Sequence, residues 1–337
     1  RIQEAEQALA MLDESRDESA ALSLARGRLA FATGDYSAAL PHLRAAMVGP
    51  FQVIAALTMA ESYVKMNRDD DALQLRAAMV SAHPSDELLV ERYAVHLLAR
   101  DMPEQAIAAC ERFLAGTGTS SLVRTTLAIG HLAIGDAPSA IRQLALVPDR
   151  LDRLAAQFAI GVAKGEMGLA KEAVTELELA QTRWPGNVDI TLSLAYTHLC
   201  SMHVSQAEAI LARMPQATHS DLRVRIIRSL IEFNKSMGAA SQQVIDLWHD
   251  LSSENRSRAD RPCFGLLAWQ VASIQWYRSM HAQPPEDSPA VARTLALMLK
   301  EELRLAPSIS RLRMLFIELA GKSGDAELIG EAAKAIH

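Results

Sequence analysis

The sequence is poor in the features that mark several common protein classes. Only 5% of its 337 residues are aromatic and β-branched residues are few, so the composition favours helix over strand. No uninterrupted apolar run approaches the roughly 18–20 residues that cross a bilayer, which excludes a membrane span in this sequence. A net charge of -6 argues against a nucleic-acid binder, which would carry a basic patch. The 50% hydrophobic content excludes intrinsic disorder.

Cysteine is also scarce. Cys110, Cys200 and Cys263 are scattered, and no two of them form a Cys-x-x-Cys pair. The spacing supports neither a disulfide framework nor a metal site, and no cofactor is expected. Unpaired cysteines slightly favour the cytoplasm over the periplasm. The chain begins at Arg1 without Met or a signal peptide, so we expect a piece of a longer protein, and its preference for Arg over Lys points to a bacterial genome.

What the sequence does contain is an internal repeat. A small residue recurs at intervals of 33 or 34, and a second small residue stands twelve positions before each one. Because two antiparallel helices approach closely only where facing side chains are small, this spacing predicts repeated helix pairs. The two series are Ala39, Ala72, Ala106, Ala140, Ala173 and Ala207, and Gly27, Ala60, Ala94, Ala128, Gly161 and Ala195.

A turn is predicted five residues before each member of the first series. Glycine and asparagine tolerate the left-handed conformation that ends a helix, so four of the six turn residues are strong stop signals. The six are Gly34, Asn67, Asp101, Gly135, Gly168 and Met202. Four residues after the small residue, Leu43, Leu144, Leu177 and Leu211 are expected to fill the core.

This pattern resembles the tetratricopeptide repeat family, whose unit is a 34-residue helix–turn–helix. The best match runs from Gly27 to Pro50 and contains Gly34-Asp35-Tyr36 and Ala39-Leu40. Residues 53–84 follow the pattern well. The early Trp of the family is missing throughout, and Arg76 replaces a usually apolar residue. The resemblance implies an all-α fold, an α-solenoid of antiparallel helix pairs in a superhelix.

The repeats divide the chain into three parts. Residues 1–16 are predicted to be the second helix of a truncated repeat, because stepping back 34 from Ala39 reaches Ala5. Degenerate repeats and an irregular helical cap are expected over 220–337. Between these parts, residues 20–219 hold six repeats with bounds near 20–52, 53–86, 87–120, 121–153, 154–187 and 188–219.

The C-terminal part concentrates the large aromatic residues. Helices are predicted near 221–236, 242–251, 263–280, 290–305, 308–321 and 325–336. One interpretation is a cap that closes the last apolar face of the array. The other is a docking or dimerisation surface, since Trp is enriched at interface hot spots. The residues concerned are Trp248, Trp269, Trp276 and Tyr277.

No catalytic constellation is evident, and we do not expect an enzyme. The sequence has no HExxH, no GxGxxG and no phosphate loop ending in Gly-Lys-Ser/Thr. The stretch 116–120, Gly-Thr-Gly-Thr-Ser, lacks the lysine and falls at a turn between repeats. His198 and His203 are five residues apart, which does not place them on one helical face for a metal.

In tetratricopeptide arrays the first helices line a concave groove that holds a partner segment. The resemblance therefore implies a set of inward positions, which we name the first-helix positions. They are unusually apolar and nearly lack the Lys, Arg and Asn that grip a C-terminal carboxylate. They are Leu24, Arg28, Phe31, Leu57, Glu61, Val64, Glu91, Val95, Leu98, Thr125, Ile129, Leu132, Phe158, Val162, Leu192, Tyr196 and Leu199.

Three interpretations of these positions stay open. They bind an apolar or amphipathic segment of a partner protein, they are covered by a second copy or by the chain's own C-terminal helices, or they are inter-helix core. The expected function is a non-catalytic interaction scaffold within a bacterial multiprotein assembly. The alternative is an accessory domain of a larger enzyme, such as a glycosyltransferase, or of a polysaccharide synthesis or export machine.

Overall fold

A computed structural model of the protein describes residues 19–148, 153–215, 218, 221–236, 241–251, 261–282, 288–305 and 310–335. Within these ranges the chain forms eighteen α-helices, one 3₁₀ turn at Gly49–Phe51 and no strand. This confirms the predicted all-α class. The predicted helix over residues 1–16 lies outside the described residues, and the predicted repeat bounds stay a prediction.

The first twelve helices follow one another as alternating first and second helices of six pairs. Short turns join the members of each pair. Their bounds are α1 (Ala20–Ala32), α2 (Tyr36–Ala45), α3 (Gln52–Lys65), α4 (Asp69–Ala82), α5 (Glu87–Ala99), α6 (Pro103–Thr117), α7 (Ser121–Ala133), α8 (Ala137–Ala145), α9 (Leu154–Glu166), α10 (Ala170–Arg183), α11 (Val188–Cys200) and α12 (Val204–Ala212).

The chain divides into two compact units, the first ending at Gly130 and the second beginning at His131, within α7. In the first unit each helix from α1 to α5 packs on the helix that follows it. The first helices also touch each other, α1 against α3 and α3 against α5. Because first helices stack directly, their outward side chains form one surface.

The second unit continues the pairs and adds six further helices. Here α11 packs against α13 as well as α12, and α15 packs against α14, α16 and α17. One large apolar core runs from Leu192 to Ala332. The added helices are α13 (Leu222–Lys235), α14 (Ser241–Leu251), α15 (Arg261–Met280), α16 (Ser288–Leu305), α17 (Ser310–Ser323) and α18 (Ala326–Lys334).

The six predicted turn residues all adopt the left-handed conformation. Their φ angles run from 57° at Asn67 to 86° at Gly34. Each turn closes with the same pair of backbone bonds, as where Asp35 N donates to Ala30 O at 2.9 Å and Gly34 N donates to Phe31 O at 3.1 Å. These bonds are the Schellman motif that ends an α-helix, which explains why the turn recurs at a fixed place.

Close contact between the two helices of a pair accounts for the small residues of the repeat. A Cβ added to Gly27 would lie 2.7 Å from Leu43 Cγ, and one added to Gly161 would lie 2.6 Å from Leu177 Cγ. Real carbon atoms do not approach so closely, so a methyl group at either position would force the opposing leucine to move. Both leucines are fully buried.

None of the described helices is both long and apolar enough to cross a membrane.

Two alanine substitutions in α9 test this packing. Gly161→Ala should cost about 1–3 kcal/mol of unfolding free energy, because the new methyl group collides with Leu177. Gly165→Ala is the matched control, since its Cβ would meet Ala173 Cβ at an ordinary 3.8 Å. The control should gain up to about 1 kcal/mol from helix propensity. Urea denaturation measures both changes, and equal effects would contradict the close-contact explanation.

Candidate partner-binding surface

In the first unit, most first-helix positions remain accessible to solvent. Arg28 is exposed, and Phe31, Leu57 and Val64 are half-buried. Val95, on α5, is 40% exposed. Phe31 and Val64 pack partly against the apolar cluster of Ala39 and Leu43, and Leu57 packs partly against a neighbouring one, so Val95 is the most exposed apolar side chain of the set.

Two predicted positions in the same unit are buried instead. Leu24 and Leu98 are 8% and 7% exposed and lie in the helix-pair interior. Leu24 is part of the apolar cluster that includes Ala39 and Leu43. The core interpretation therefore holds for these two residues, since each side chain points between helices rather than away from them.

In the second unit, two of the three predicted positions of α11 are buried. Leu192 and Leu199 are each 3% exposed and belong to the large C-terminal core, and Tyr196 is partly buried against it. The expectation that Leu192 and Leu199 form open groove surface is wrong for the described structure. Leu24 and Leu98 are buried at the equivalent positions of α1 and α5, and in the second unit α13 also packs against α11.

A specific polar contact joins α17 to α11. Arg311, on α17, donates from Nη2 to the backbone oxygen of Cys200 at 2.6 Å. The same guanidinium lies 5.2 Å from the centre of the Trp269 ring. Burial raises the pKa of the Tyr196 phenol well above its usual value. The C-terminal helix α17 thus contacts the carboxyl end of α11.

Four of the five remaining predicted positions are half-buried and one is buried. Ile129, Leu132, Phe158 and Val162 are half-buried, while Thr125 is 5% exposed. Val162 stands one helical turn from Phe158 on α9, where the second unit keeps part of its apolar side accessible.

A charged cluster lies behind the surface of the first unit. Arg76 of α4 is 7% exposed and donates from Nη2 to Glu61 Oε2 at 2.8 Å. The Glu61 side chain remains 45% exposed, so the pair joins the core to the surface. Glu91 of α5 has a side chain only 12% exposed, and its Oε2 lies 3.4 Å from Arg92 Nε.

Burial dominates the electrostatics of this cluster. It raises the pKa of the Glu91 carboxyl, and nearby Arg92 and Arg76 offset that rise only partly. Burial likewise lowers the pKa of Arg76 and of His96, and the positive charge of Arg76 lowers that of His96 further. Among the described residues, Arg76 Nε, Glu91 Oε2 and both ring nitrogens of His96 lack hydrogen-bond partners.

Sequence reasoning did not find this cluster as a site. One signal was available, because Arg76 stands where Leu43, Leu144, Leu177 and Leu211 stand in four other repeats. Glu61 and Glu91 were predicted as first-helix positions. The ion pair of Glu61 with the buried Arg76 was not predicted.

The C-terminal aromatic residues separate into core and surface. Trp248 is 7% exposed and packs in the core. Trp269 and Trp276 border that core. The guanidinium of Arg311 lies over the Trp269 ring, and the ammonium of Lys322 lies over the Trp276 ring. Tyr277 is 65% exposed, and its ring stacks on that of His281 with the ring centres 4.2 Å apart. Three of the four aromatics thus pack as a cap does, while Tyr277 remains at the surface.

The described residues contain no group of three His, Cys, Asp or Glu side chains placed to hold a metal ion.

Comparison with known proteins identifies the fold. No protein-family model matches the chain, and no curated protein matches it. A solved tetratricopeptide repeat protein from Parabacteroides merdae is similar, with a TM-score of 0.57 and 13% identity over 74% of this chain and 99% of its own. The fold is tetratricopeptide-type.

A second solved structure agrees with that fold. It is the APC/C hetero-tetramer Cut9–Hcn1, with a TM-score of 0.50 and 11% identity over 94% of this chain and 76% of the matched one. A third, Naa15/Naa10 bound to HypK-THB, has a TM-score of 0.34 and supports no argument. At these identities the similarity extends to the fold alone.

The burial of α11 can be tested with leucine truncations in the second unit. Leu192→Ala should lower the unfolding free energy by about 2–5 kcal/mol, because it opens a cavity in the core. Leu297→Ala makes the same chemical change at a side chain that is 41% exposed and should cost less than about 1 kcal/mol. Denaturant titration measures both, and a small loss for Leu192→Ala would show that α11 is open.

The buried carboxyl predicts a pH-dependent difference in stability. Folding raises the pKa of Glu91 above its value in the unfolded chain, which is about 4.3. The contribution of Glu91 to the free energy of unfolding is therefore complete below that unfolded pKa, and it is lost as the pH rises through the higher pKa of the folded chain. Glu91→Gln removes that loss. Its stability relative to the native chain should therefore increase from about pH 4 to pH 7.

The substitution at the exposed Glu104 is the control for Glu91→Gln. Glu104→Gln should leave the difference from the native chain nearly constant over the same pH interval. Urea denaturation at both pH values gives the comparison. A Glu91→Gln advantage that shrinks with rising pH would contradict the assignment of a buried, destabilising charge.

Proposed function

We propose that the chain is a non-catalytic interaction module that binds a segment of a partner protein within a bacterial multiprotein assembly. The partner segment lies on the first-helix positions of the first unit. Its contacts are mainly apolar, through Phe31, Leu57, Val64 and Val95, with Arg28 at one side. In a tetratricopeptide-type fold these are the helices whose faces hold a partner.

One observation carries this proposal. The position directly after the small residue of the first helix differs between the two units: Tyr196 of α11 packs against the C-terminal core, whereas Arg28 of α1 and Val95 of α5 are exposed. Val95 and Tyr196 occupy equivalent places three repeats apart, yet Val95 is 40% exposed and Tyr196 is partly buried against the core. An accessible apolar surface of this kind is characteristic of a site that binds another polypeptide.

The structure of Cut9 with Hcn1 offers a precedent for the class of partner. That assembly contains a protein of similar fold together with a second polypeptide. For this chain the occupant is proposed to be a peptide segment of another protein, in an extended or helical form, rather than a second copy.

Selection of peptides on the full chain tests the proposal. A display library of random peptides about 16 residues long, about 24 Å as a helix, is selected on the immobilised protein. Enriched peptides should be apolar or amphipathic. Val95→Asp should weaken their binding at least about tenfold, because a charge then replaces an apolar contact at the surface.

The control for Val95→Asp introduces the same charge elsewhere in the first unit. Ala78→Asp lies at an exposed position of the second helix α4 and should leave peptide binding unchanged. Both variants should keep their melting temperature to within about 2 °C, as expected for exposed sites. Failure to enrich any peptide contradicts the proposal. Dimerisation also contradicts the proposal, if light scattering shows a dimer of the native chain and a monomer of Val95→Asp. In that case a second copy of the chain covers the surface.

A further inference from the structure

A small pocket opens on the second unit where four helices meet. Its apolar walls come from Leu199 of α11, Leu230 of α13 and Leu266 of α15, and Arg311 of α17 completes it. Helix α11 packs on α13, α13 packs on α15, and α15 packs on α17. The hydrogen bond from Arg311 to Cys200 then joins α17 back to α11. The pocket is therefore bordered by a ring of helices rather than by one helix face.

Two polar side chains of this pocket lack the partners that burial normally requires. Gln270 is only 7% exposed, yet its amide makes no hydrogen bond to the described residues. The Arg311 guanidinium contacts the Cys200 oxygen and the Trp269 ring, and no carboxylate among the described residues pairs with it. Buried amides are normally hydrogen-bonded, and buried charges are normally paired. One amide and one positive charge thus remain available at the same place.

These groups match a carboxylate in charge and in hydrogen bonding. The guanidinium of Arg311 offers a positive charge with N–H donors, and the amide of Gln270 offers further N–H donors. Asn234 also lines the pocket and donates one amide hydrogen to Leu230 O at 2.7 Å, which leaves its second hydrogen for a ligand. A cationic ligand would instead be repelled by Arg311. Charge complementarity therefore selects an anion.

The size and the rim of the pocket indicate where the carboxylate comes from. Its empty space is about 240 Å³, including the open solvent at its mouth. Small-molecule sites begin at roughly 300 Å³, so this pocket suits one side chain better than a cofactor or a substrate. Met202 lines it as well and is 59% exposed, and methionine adapts readily to an apolar partner. An acidic side chain with an apolar neighbour meets both conditions.

We propose that the pocket binds the carboxylate of a Glu or Asp side chain of a partner polypeptide, with an adjacent apolar residue on Met202. Arg311 pairs with the carboxylate and Gln270 donates a hydrogen bond to it. Trp269 is a positioning residue that holds the guanidinium in place. This is a second contact site, on the second unit, and it does not depend on the first-helix positions of the first unit.

Peptide selection on a chain with an altered first unit tests the inference. A display library of random peptides about 16 residues long is selected on immobilised Val95→Asp. Enriched peptides should contain Glu or Asp beside an apolar residue. The strongest is synthesised with both termini blocked, together with its Glu→Gln or Asp→Asn counterpart, and fluorescence anisotropy gives both affinities. Loss of the carboxylate should weaken binding about tenfold or more, as for other charge-assisted hydrogen bonds.

Variants made in the Val95→Asp chain assign that preference to the pocket. Arg311→Gln should bring the affinities of the two peptides within about twofold of each other, because the positive charge is gone. Arg304→Gln is the matched control, since the same change at a side chain that is 71% exposed should leave both affinities unchanged.

The substitution Gln270→Met separates binding from stability. It keeps the size of the buried side chain and removes the amide, so the acidic peptide should bind at least about fivefold more weakly. The melting temperature should stay the same or increase, because an unpaired buried amide is lost. A purely structural role would change the melting temperature and leave the affinity as it was, which would overturn the inference.

The remaining outcomes are distinct from those of the proposed function. Enriched peptides without an acidic residue, a carboxylate preference that survives in Arg311→Gln, or selection that enriches no peptide on Val95→Asp would each overturn the inference. Binding that needs a free C-terminal carboxylate would assign the pocket to chain ends and overturn the side-chain source. The first-unit surface is tested by peptides that bind the native chain and are lost in Val95→Asp, so either proposal can fail alone.

Discussion

The structure depends on the distance at which two helices of a pair can pack. That distance is set by one small residue on the first helix and one large residue on the second, as at Gly27 with Leu43 and Gly161 with Leu177. The left-handed turn then fixes the direction in which the second helix leaves. Because both features recur every 33 or 34 residues, the first helices of successive pairs stack with the same side turned outward. Equivalent positions of successive repeats therefore come next to each other.

The helix pairs could be predicted from the sequence because their causes are local. The turn residues are identified by chemical type, since Gly and Asn tolerate a positive φ, and five further repeats supported the same register. Met202 shows that register can outweigh residue type, as it adopts a φ of 61° with no intrinsic preference for it.

The accessibility of individual first-helix positions could not be predicted in the same way. Val95 and Tyr196 occupy equivalent places, but only Tyr196 packs against the large C-terminal core. The charged cluster was also hidden, because Glu61, Arg76 and Glu91 come from three different helices. A repeat alignment marks Arg76 as unusual but does not show which side chains it meets.

The contact between Arg311 and Cys200 has a consequence for the kinetics of folding. It joins residues 111 positions apart, whereas the bonds that close the helical turns span only three to five residues. Contacts between distant residues carry a larger loop-closure cost and form late. During synthesis α11 therefore emerges before α17 exists, and the contact that joins them forms only once the C-terminal helices have been made.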